Sequence, residues 1–134
     1  MRIFAKNMET EDLITKIIQC AYNVHLALPP GFYERIYQRA LMIELQEHNI
    51  HAESEVWLDA KYKGRIIGKF RVDIIVENRI LLELKAIDSL TPLNGVQIVN
   101  YLNMTGIDNG ILINFGSPKF QAERKFRLRD QQKT

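Results

Sequence analysis

Near its start the chain places apolar residues three and four positions apart, which is the spacing of an amphipathic helix. In residues 10–28 this apolar stripe consists of Leu13, Ile17, Cys20, Ala21, Val24 and Leu28. Thr10 is a suitable N-cap, and Pro29-Pro30-Gly31 ends the pattern. We therefore predict a first helix over residues 10–28.

A second helix is predicted over residues 32–48, where the apolar residues form two stripes. One stripe contains Ile36, Ala40 and Ile43, and the other contains Tyr37, Leu41 and Leu45. An apolar surface this wide is typical of a helix that is packed on most of its sides. We expect this helix to be buried.

From Glu55 onward the pattern changes to short β-rich segments separated by turn residues. The segments cover residues 55–62, 69–77 and 79–86. Lys63-Gly64-Arg65 separates the first two, and a tight turn near Asn78 separates the last two. This pattern predicts a three-stranded meander.

The last third of the pattern returns to a helix and then to strands. Thr91-Pro92 suits an N-cap followed by proline in the first turn, and Gly106 suits a left-handed C-terminal residue, so a third helix is predicted over residues 92–105. Residues 110–115 predict a buried strand, and residues 125–128 a short final strand. The order ααβββαβ predicts an α/β sandwich with a mixed sheet.

Composition adds bounds on size and on partners. The chain has 134 residues, of which 46% are hydrophobic and 25% charged, so we expect one domain over residues 1–134 with its core at about 10–128. The formal net charge of +2 permits a nucleic-acid partner without requiring one.

The cysteine count and the hydropathy indicate the compartment. Cys20 is the only cysteine, so no disulfide can form within the chain, and the three histidines show no zinc-ligand spacing. The first residues lack the apolar core of a signal peptide, and no apolar stretch is long enough to cross a membrane. We expect a cytoplasmic protein without membrane association.

Ionisable residues interrupt the apolar strands of the meander. Side chains alternate along a strand, so Asp73 is expected on a face with Arg71 and Ile75, opposite the face of Phe70, Val72, Ile74 and Val76. In the next strand, Glu83 and Lys85 share a face with Leu81. Asp73, Glu83 and Lys85 can therefore converge on one side of the hairpin.

Two interpretations of this convergence remain open from the hairpin itself. Buried carboxylates need a partner or a cation, and a magnesium ion could be held by Asp73, Glu83 and the backbone carbonyl of Leu84. Lys85 would then orient the attacking water or stabilise charge on a phosphate during phosphodiester hydrolysis. The alternative is a solvent-facing strand face with a cross-strand ion pair.

The order of these residues resembles a known signature. Asp73 followed by Glu83-Leu84-Lys85 is similar to the D…(D/E)xK signature of the PD-(D/E)xK nuclease superfamily, with Val72 in place of the proline. Residues 31–37, GFYERIY, resemble the motif that names the GxxExxY family, a branch of that superfamily. The likeness covers about residues 10–128.

The resemblance implies a fold and further site residues. The fold is the restriction-endonuclease-like αβββαβ core with a mixed β-sheet flanked by helices, preceded here by an additional N-terminal helix. Glu34 matches a helical acidic residue that assists metal binding. Gln97 and Tyr101 match a QxxxY motif that holds substrate phosphate, and an i, i+4 spacing places both on one helix face.

The resemblance also implies an activity. We expect a Mg²⁺- or Mn²⁺-dependent nuclease with DNA as the expected substrate, in which Asp73, Glu83 and Lys85 are catalytic. Asp73, Glu83, Glu34 and the carbonyl of Leu84 would bind the metal, and Gln97 and Tyr101 the substrate. The alternative is a catalytically inactive module for nucleic-acid binding or protein assembly. A homodimer is expected if both strands of a duplex are cut.

Several residues have structural interpretations beside these functional ones. Glu34 could simply favour the start of its helix. Trp57 is expected to pack in the core or in an interface. Two groups of basic residues are expected to be solvated unless they flank the acidic pocket: Lys61, Lys63, Arg65, Lys69 and Arg71, and Lys119, Arg124, Lys125, Arg127 and Arg129.

Overall fold

A computed structural model describes residues 5–128, apart from the side chain of Lys6; residues 1–4 and 129–134 of the expected domain, including Arg129, lie outside this part. The described helices are α1 (Thr10–Ala27), α2 (Glu34–Glu47) and α3 (Val96–Thr105), with short 3-10 helices at Ala5–Asn7 and Pro92–Gly95. The strands are β1 (Ala52–Tyr62), β2 (Arg65–Val76), β3 (Ile80–Lys85), β4 (Asn109–Asn114) and β5 (Gln121–Phe126).

The five described strands form one mixed sheet in the order β1-β2-β3-β4-β5. β1, β2 and β3 are antiparallel neighbours, as a meander requires, and β4 and β5 are also antiparallel. β3 and β4 are parallel, because α3 returns the chain between them. The mixed sheet with flanking helices confirms the predicted fold class, including the additional N-terminal helix.

Apolar side chains cover both faces of the sheet. On one face α1 and α2 pack against Ile74, Leu82, Leu84 and Ile113, in the larger of the two buried clusters. On the other face α3 contributes Ile98 and Leu102 to a smaller cluster, which contains Val72, Ile75 and Leu81 from the sheet. β3 and β4 are therefore buried on both sides, which accounts for their continuous apolar sequences.

The prediction that α2 is buried on most sides is wrong. Tyr37, Leu41 and Leu45 are fully buried, whereas Ile36 and Ile43 of the second stripe are 41% and 58% exposed. One stripe is enough to cover the sheet and α1; in the second stripe Ala40 is partly buried against the same cluster, while Ile36 and Ile43 face solvent. None of the described helices is long and apolar enough to cross a membrane.

The residues predicted to begin and end the third helix do so in the structure, with one difference in the first turn. Thr91 and Asn94 form a reciprocal capping box, and Gly106 ends the helix with a left-handed φ of 77°. The first turn is a 3-10 helix rather than part of the α-helix. The final strand begins at Gln121 rather than at 125, because pairing with β4 stabilises a polar sequence that shows little strand character of its own.

The prediction that side chains alternate strictly between the two faces along β2 is also wrong. Phe70 and Val72 pack on the α3 side of the sheet, whereas Ile74 and Val76 pack on the α1 and α2 side. The regular pairs Ser54↔Ile74 and Val56↔Val72 flank Glu55, which has a φ of 53° in the middle of β1. This left-handed residue interrupts the strand opposite Asp73, and the faces of the hairpin exchange there.

β1 and β2 extend well beyond the rest of the sheet. β2 pairs with β3 at three positions, from Ile74↔Leu82 to Val76↔Ile80, whereas its pairing with β1 continues to Tyr62↔Arg65. Lys63 and Gly64 both have positive φ, as a two-residue hairpin turn requires. We refer to residues 56–72 as the β1–β2 ribbon.

Candidate active site

Asp73 lies where β2 separates from β3. The last paired position is Ile74↔Leu82, so the backbone N–H of Leu84 has no carbonyl of β2 opposite it. This N–H instead donates a hydrogen bond of 2.7 Å to Oδ2 of Asp73. The Asp73 side chain thus fills the gap between the diverging strands, and it is 8% exposed.

Glu83 and Lys85 project from β3 beside Asp73. The Lys85 Nζ lies 3.4 Å from the Glu83 Oε2, and Glu83 is 7% exposed. This ion pair joins two residues of β3, and the carboxylates of Asp73 and Glu83 are both buried. The alternative of a solvent-facing strand with a cross-strand ion pair is therefore wrong.

Glu34 is brought to the same place by the turn before α2. Gly31 has a φ of 126°, which residues other than glycine rarely adopt. The Tyr37 hydroxyl donates to the carbonyl of Pro29 (2.7 Å) and accepts from the N–H of Phe32 (3.2 Å), so it fixes the turn from inside the core. Glu34 is then the first residue of α2, where it also favours the helix N-terminus.

The three carboxyl groups interact electrostatically. The pKa of the Glu83 carboxyl is raised to about 7, chiefly by burial and then by the charge of Asp73, while Lys85 acts in the opposite direction. Burial also raises the pKa of Asp73, against the effect of the Leu84 N–H. Glu34 is open to solvent on one side, yet partial burial and the charge of Asp73 raise its pKa.

Gln97 and Tyr101 of α3 lie beside these carboxylates. Burial raises the pKa of the Tyr101 hydroxyl, and the charges of Glu83 and Asp73 raise it further, whereas a hydrogen bond with Gln97 lowers it. The Tyr101 ring stacks on Phe70 with centroids 4.4 Å apart, which fixes the ring against the ribbon. Gln97 is exposed at the edge of the site.

The structure therefore brings together the six predicted side chains Glu34, Asp73, Glu83, Lys85, Gln97 and Tyr101. Leu84, the seventh predicted residue, has its side chain fully buried and its N–H bonded to Asp73. The use of its carbonyl as a ligand remains a prediction.

Sequence reasoning missed the residues that connect α2 to β2. Glu55 accepts hydrogen bonds from Arg35 (3.1 Å) and Arg71 (3.3 Å), so one carboxylate joins the helix to the ribbon. Arg71 in turn lowers the pKa of Asp73 and of Glu34. No spacing signal relates Glu55 to Arg35, because their contact depends on the packing of two separate elements.

Asn114 was also missed as a support of the site. Its Oδ1 accepts from the N–H groups of Ile87 and Gly116, and its Nδ2 donates to the carbonyl of Ile87 and to Oε1 of Gln121. The neighbouring N–H of Phe115 donates to the carbonyl of Lys85 at 2.8 Å. Asn114 thereby holds the segment that follows Lys85 against β4.

The donor set suits a hard divalent cation. Asp73, Glu83 and Glu34 offer carboxylate oxygens, which Mg²⁺ and Mn²⁺ prefer. Burial and the charge of a neighbouring carboxylate raise the pKa of each of these three groups. The positively charged group in contact with this set is the Lys85 ammonium, beside Glu83. A divalent ion would relieve this repulsion, so the residues present fit the metal.

A second group of metal-binding residue types lies between α1 and α2, although the sequence shows no such spacing. Cys20, Glu44 and His48 have one potential ligand atom each within 4.8 Å of one another. Cys20 Sγ donates to the backbone carbonyl of Glu44, and His48 Nδ1 contacts the same oxygen at 2.9 Å. Burial raises the pKa of the Cys20 thiol to about 11, which disfavours the thiolate that a metal requires.

Comparisons with known proteins bear on the fold and on the family of this chain. No curated protein matches the chain. The crystal structure of SSO0001 has a similar fold, with a TM-score of 0.56 and 23% sequence identity over 72% of this chain and 50% of that chain. This chain therefore spans about half the length of SSO0001.

A family model gives the wider relationship. The model described as the PD-(D/E)XK nuclease superfamily matches residues 11–126, which include every residue of the candidate site. Nucleases of this superfamily typically depend on divalent metals. The chain belongs to the PD-(D/E)XK nuclease superfamily.

Proposed function

We propose that this protein is a metal-dependent nuclease that hydrolyses phosphodiester bonds of DNA. The observation that carries the proposal is the convergence of Glu34, Asp73 and Glu83 beside Lys85, with the pKa of all three carboxyl groups raised. Such mutual repulsion is costly for a structure that only has to fold. It is expected of a site that binds a cation and a phosphate.

Within this proposal the metal ligands are Asp73, Glu83, the carbonyl of Leu84 and, as an accessory ligand, Glu34. When bound, Mg²⁺ or Mn²⁺ would polarise the phosphate and lower the pKa of water at the site. Asp73 is suited to a fixed ligand, because the Leu84 N–H holds one of its oxygens in place. The other oxygen is free to face the cation.

Lys85 is proposed to assist the nucleophile. Its ammonium group lies 3.4 Å from Glu83 and is 24% exposed, so it can reach a water molecule next to a ligand. There it would stabilise hydroxide and the charge that develops on the phosphate. Gln97 and Tyr101, on the facing helix, would donate hydrogen bonds to phosphate oxygens and orient the scissile bond.

We assign the chain to the GxxExxY branch on the basis of residues 31–37. The motif has a physical explanation here: Gly31 supplies the left-handed turn, Tyr37 fixes that turn through Pro29, and Glu34 faces the site. The three residues that define the motif therefore position one carboxylate. Replacement of Tyr37 by Phe is expected to weaken metal binding without contact with the metal.

Calorimetric titration of Mn²⁺ tests the site without a substrate. Wild-type protein is expected to bind the ion, whereas Asp73→Asn, which can keep the Leu84 hydrogen bond, is expected to lose most of the affinity. Glu123→Gln is the matched control, because Glu123 is an exposed carboxylate on β5. Equal binding by wild type and Asp73→Asn would contradict the proposed ligands.

Cleavage of labelled DNA then tests the activity. Lys85→Met is expected to retain Mn²⁺ binding but to lose cleavage by about 100-fold or more, as for other groups that stabilise transition-state charge. Equal cleavage by wild type and the variant would implicate a contaminating nuclease. Mn²⁺ binding with no cleavage of DNA or RNA would favour the inactive binding module.

The oligomeric state bears on how a duplex would be cut. A single acidic site acts on one strand, so double-strand cleavage is proposed to need a homodimer. Light scattering measures the oligomeric state, and gel electrophoresis of a cleaved supercoiled plasmid distinguishes nicking from double-strand cleavage; we expect the latter only from a dimer.

A further inference from the structure

We propose that the β1–β2 ribbon binds unpaired bases of single-stranded nucleic acid, with Trp57 as the stacking surface. The inference rests on the proposed nuclease function and specifies the form of its substrate.

Two aromatic rings of the ribbon, those of Trp57 and Tyr62, are largely exposed, whereas the ring of Phe70 stacks on Tyr101. Trp57 is 63% exposed and Tyr62 is 61% exposed. Of the two expected places for Trp57, the core is therefore wrong, and packing in an interface stays a prediction. The face of the ribbon opposite the Trp57 ring is the packed one, because Leu58 and Phe70 pack with α3. Since Trp57 alternates with Leu58 along β1, its ring lies on the face that α3 leaves open.

Unpaired positive charge lies at the tip of the ribbon, next to Tyr62 and farther along β1 than Trp57. Lys61, Lys63 and Arg65 lie at the tip of the ribbon and form no ion pair with any of the described residues. The remaining basic residues of the ribbon do form pairs: Lys69 with Asp59 at 2.9 Å, and Arg71 with Glu55 at 3.3 Å. Phosphates would therefore be attracted mainly to the tip.

The second basic group of the sequence differs in this respect. Arg124 is paired with Glu11, Lys125 with Glu123, and Arg127 with Asp108. Salt bridges to carboxylates offset the charge of these three side chains, and Lys119 is the member of this group within the described residues that forms no ion pair. The described part of this surface therefore offers one unpaired cation, against three at the tip of the ribbon. The ribbon is the better candidate.

Trp57 lies between the tip and the acidic site. Trp57 on β1 pairs directly with Arg71 on β2. Asp73 follows Arg71 by two positions on β2, about 7 Å along that strand. In the other direction Lys61 is four residues away, about 13 Å along β1. A chain whose phosphates contact the tip could thus stack a base on Trp57 before it reaches Asp73.

The chemistry of this surface favours a single strand over other occupants. Exposed aromatic rings among cations bind unpaired bases, whose faces are covered in a duplex. A two-fold contact between two ribbon tips would bring the unpaired cations of both copies together, and their repulsion would oppose it.

The only tryptophan of the chain makes the test direct, because fluorescence excited selectively at tryptophan reports on Trp57 alone. The full chain is titrated in EDTA with an oligothymidylate of about 12 nucleotides, within the range that one single-strand-binding domain covers. We expect the fluorescence to be quenched as bases stack. A duplex of the same length is expected to bind more weakly and to quench little.

Variants are compared by the anisotropy of a labelled oligothymidylate. Trp57→Ala is expected to weaken binding by about 5-fold to 150-fold, the range for one stacked base, and Trp57→Phe to restore part of it. Phe126→Ala is the matched control, because Phe126 is 55% exposed on the opposite edge strand. It should bind like wild type.

Three results would overturn the proposal. They are the absence of quenching by the single strand, equal affinity of Trp57→Ala and wild type, and stronger binding of the duplex. A dimeric wild type that becomes monomeric on Trp57→Ala would assign this surface to a second copy instead. Since chelator is present throughout, a failure of catalysis or of Mn²⁺ binding tests the nuclease proposal separately.

Discussion

The pKa of the Glu83 carboxyl is well above that of an ordinary glutamate, because the group is buried between Asp73 and Lys85. Its pKa is about 7 in the folded chain, against an ordinary value of 4.5. The fold thus favours the protonated acid, and its stabilising effect is complete below pH 4.5 and is lost as the pH rises to 7. Asp73 and Glu34 act in the same direction, because their pKa values are also raised.

We therefore predict that the metal-free protein is less stable at pH 8 than at pH 5. The contribution of Glu83 is at most about 3 kcal/mol, from the shift of its pKa. Urea denaturation in EDTA at both pH values measures it. Glu83→Gln should reduce this difference, whereas Glu123→Gln should not; an unchanged difference in Glu83→Gln would contradict the assignment.

The Cys20 thiol is predicted to be unreactive in the native protein. It is fully buried, and its pKa of about 11 leaves little thiolate at neutral pH. Alkylation with iodoacetamide at pH 8, followed by mass spectrometry, should modify the chain in urea but not without it. Rapid native alkylation would show that the contact between α1 and α2 opens.

At the scale of elements, the side chain of Asn114 on β4 forms hydrogen bonds with the segment after β3 and with Gln121 of β5. Asn114→Ala removes four hydrogen bonds at a fully buried position and leaves the backbone of Ile87 and Gly116 without these partners. The free energy of unfolding should fall by roughly 2–5 kcal/mol. Asn100→Ala, on the exposed side of α3, is the control and should change it by less than about 0.5 kcal/mol.

Gly116 is predicted to tolerate no side chain. A Cβ there would overlap the backbone of Ala86 and Ile87, directly after β3. Gly116→Ala should therefore lower the thermal midpoint strongly and displace Lys85, whereas Gly68→Ala, which has open space around it, should change the midpoint little. Circular dichroism melts compare the two; similar midpoints would show that the loop adjusts.

At the scale of the whole molecule, metal binding should appear as stability. A ligand that binds only the folded chain adds about 2.7 kcal/mol at a concentration of 100 Kd, which corresponds to about 10 °C at this size. We predict that Mn²⁺ raises the thermal midpoint of wild type at pH 8 and leaves that of Asp73→Asn nearly unchanged. An equal rise in both would indicate binding elsewhere.

The sequence was sufficient for the order of elements because local signals determine it. The Thr91 cap, the left-handed Gly106 and the apolar run of β4 each act through neighbouring residues. The hairpin of the candidate site could be located for the same reason, since Asp73, Glu83 and Lys85 lie close together along the chain and match a known pattern.

What the sequence could not predict depends on contacts between distant segments. The reversal of faces at Glu55 arises from pairing with β2, and its bridge from Arg35 to Arg71 joins three elements. The exposure of Ile43 and Trp57 depends on which neighbours the fold supplies. An apolar residue in an amphipathic pattern carries no sign of whether a second layer will cover it.

The short pairing between β2 and β3 has a consequence for local opening. Three residue pairs join the ribbon to the rest of the sheet, and beyond them α3 contacts one ribbon face. Amide hydrogens near Tyr62 should therefore exchange with solvent by opening of the tip alone, whereas those of β4 should require global unfolding. Amide exchange rates should therefore decrease along the ribbon from its tip toward the sheet. A bound nucleic-acid strand should slow exchange, and most strongly at the tip.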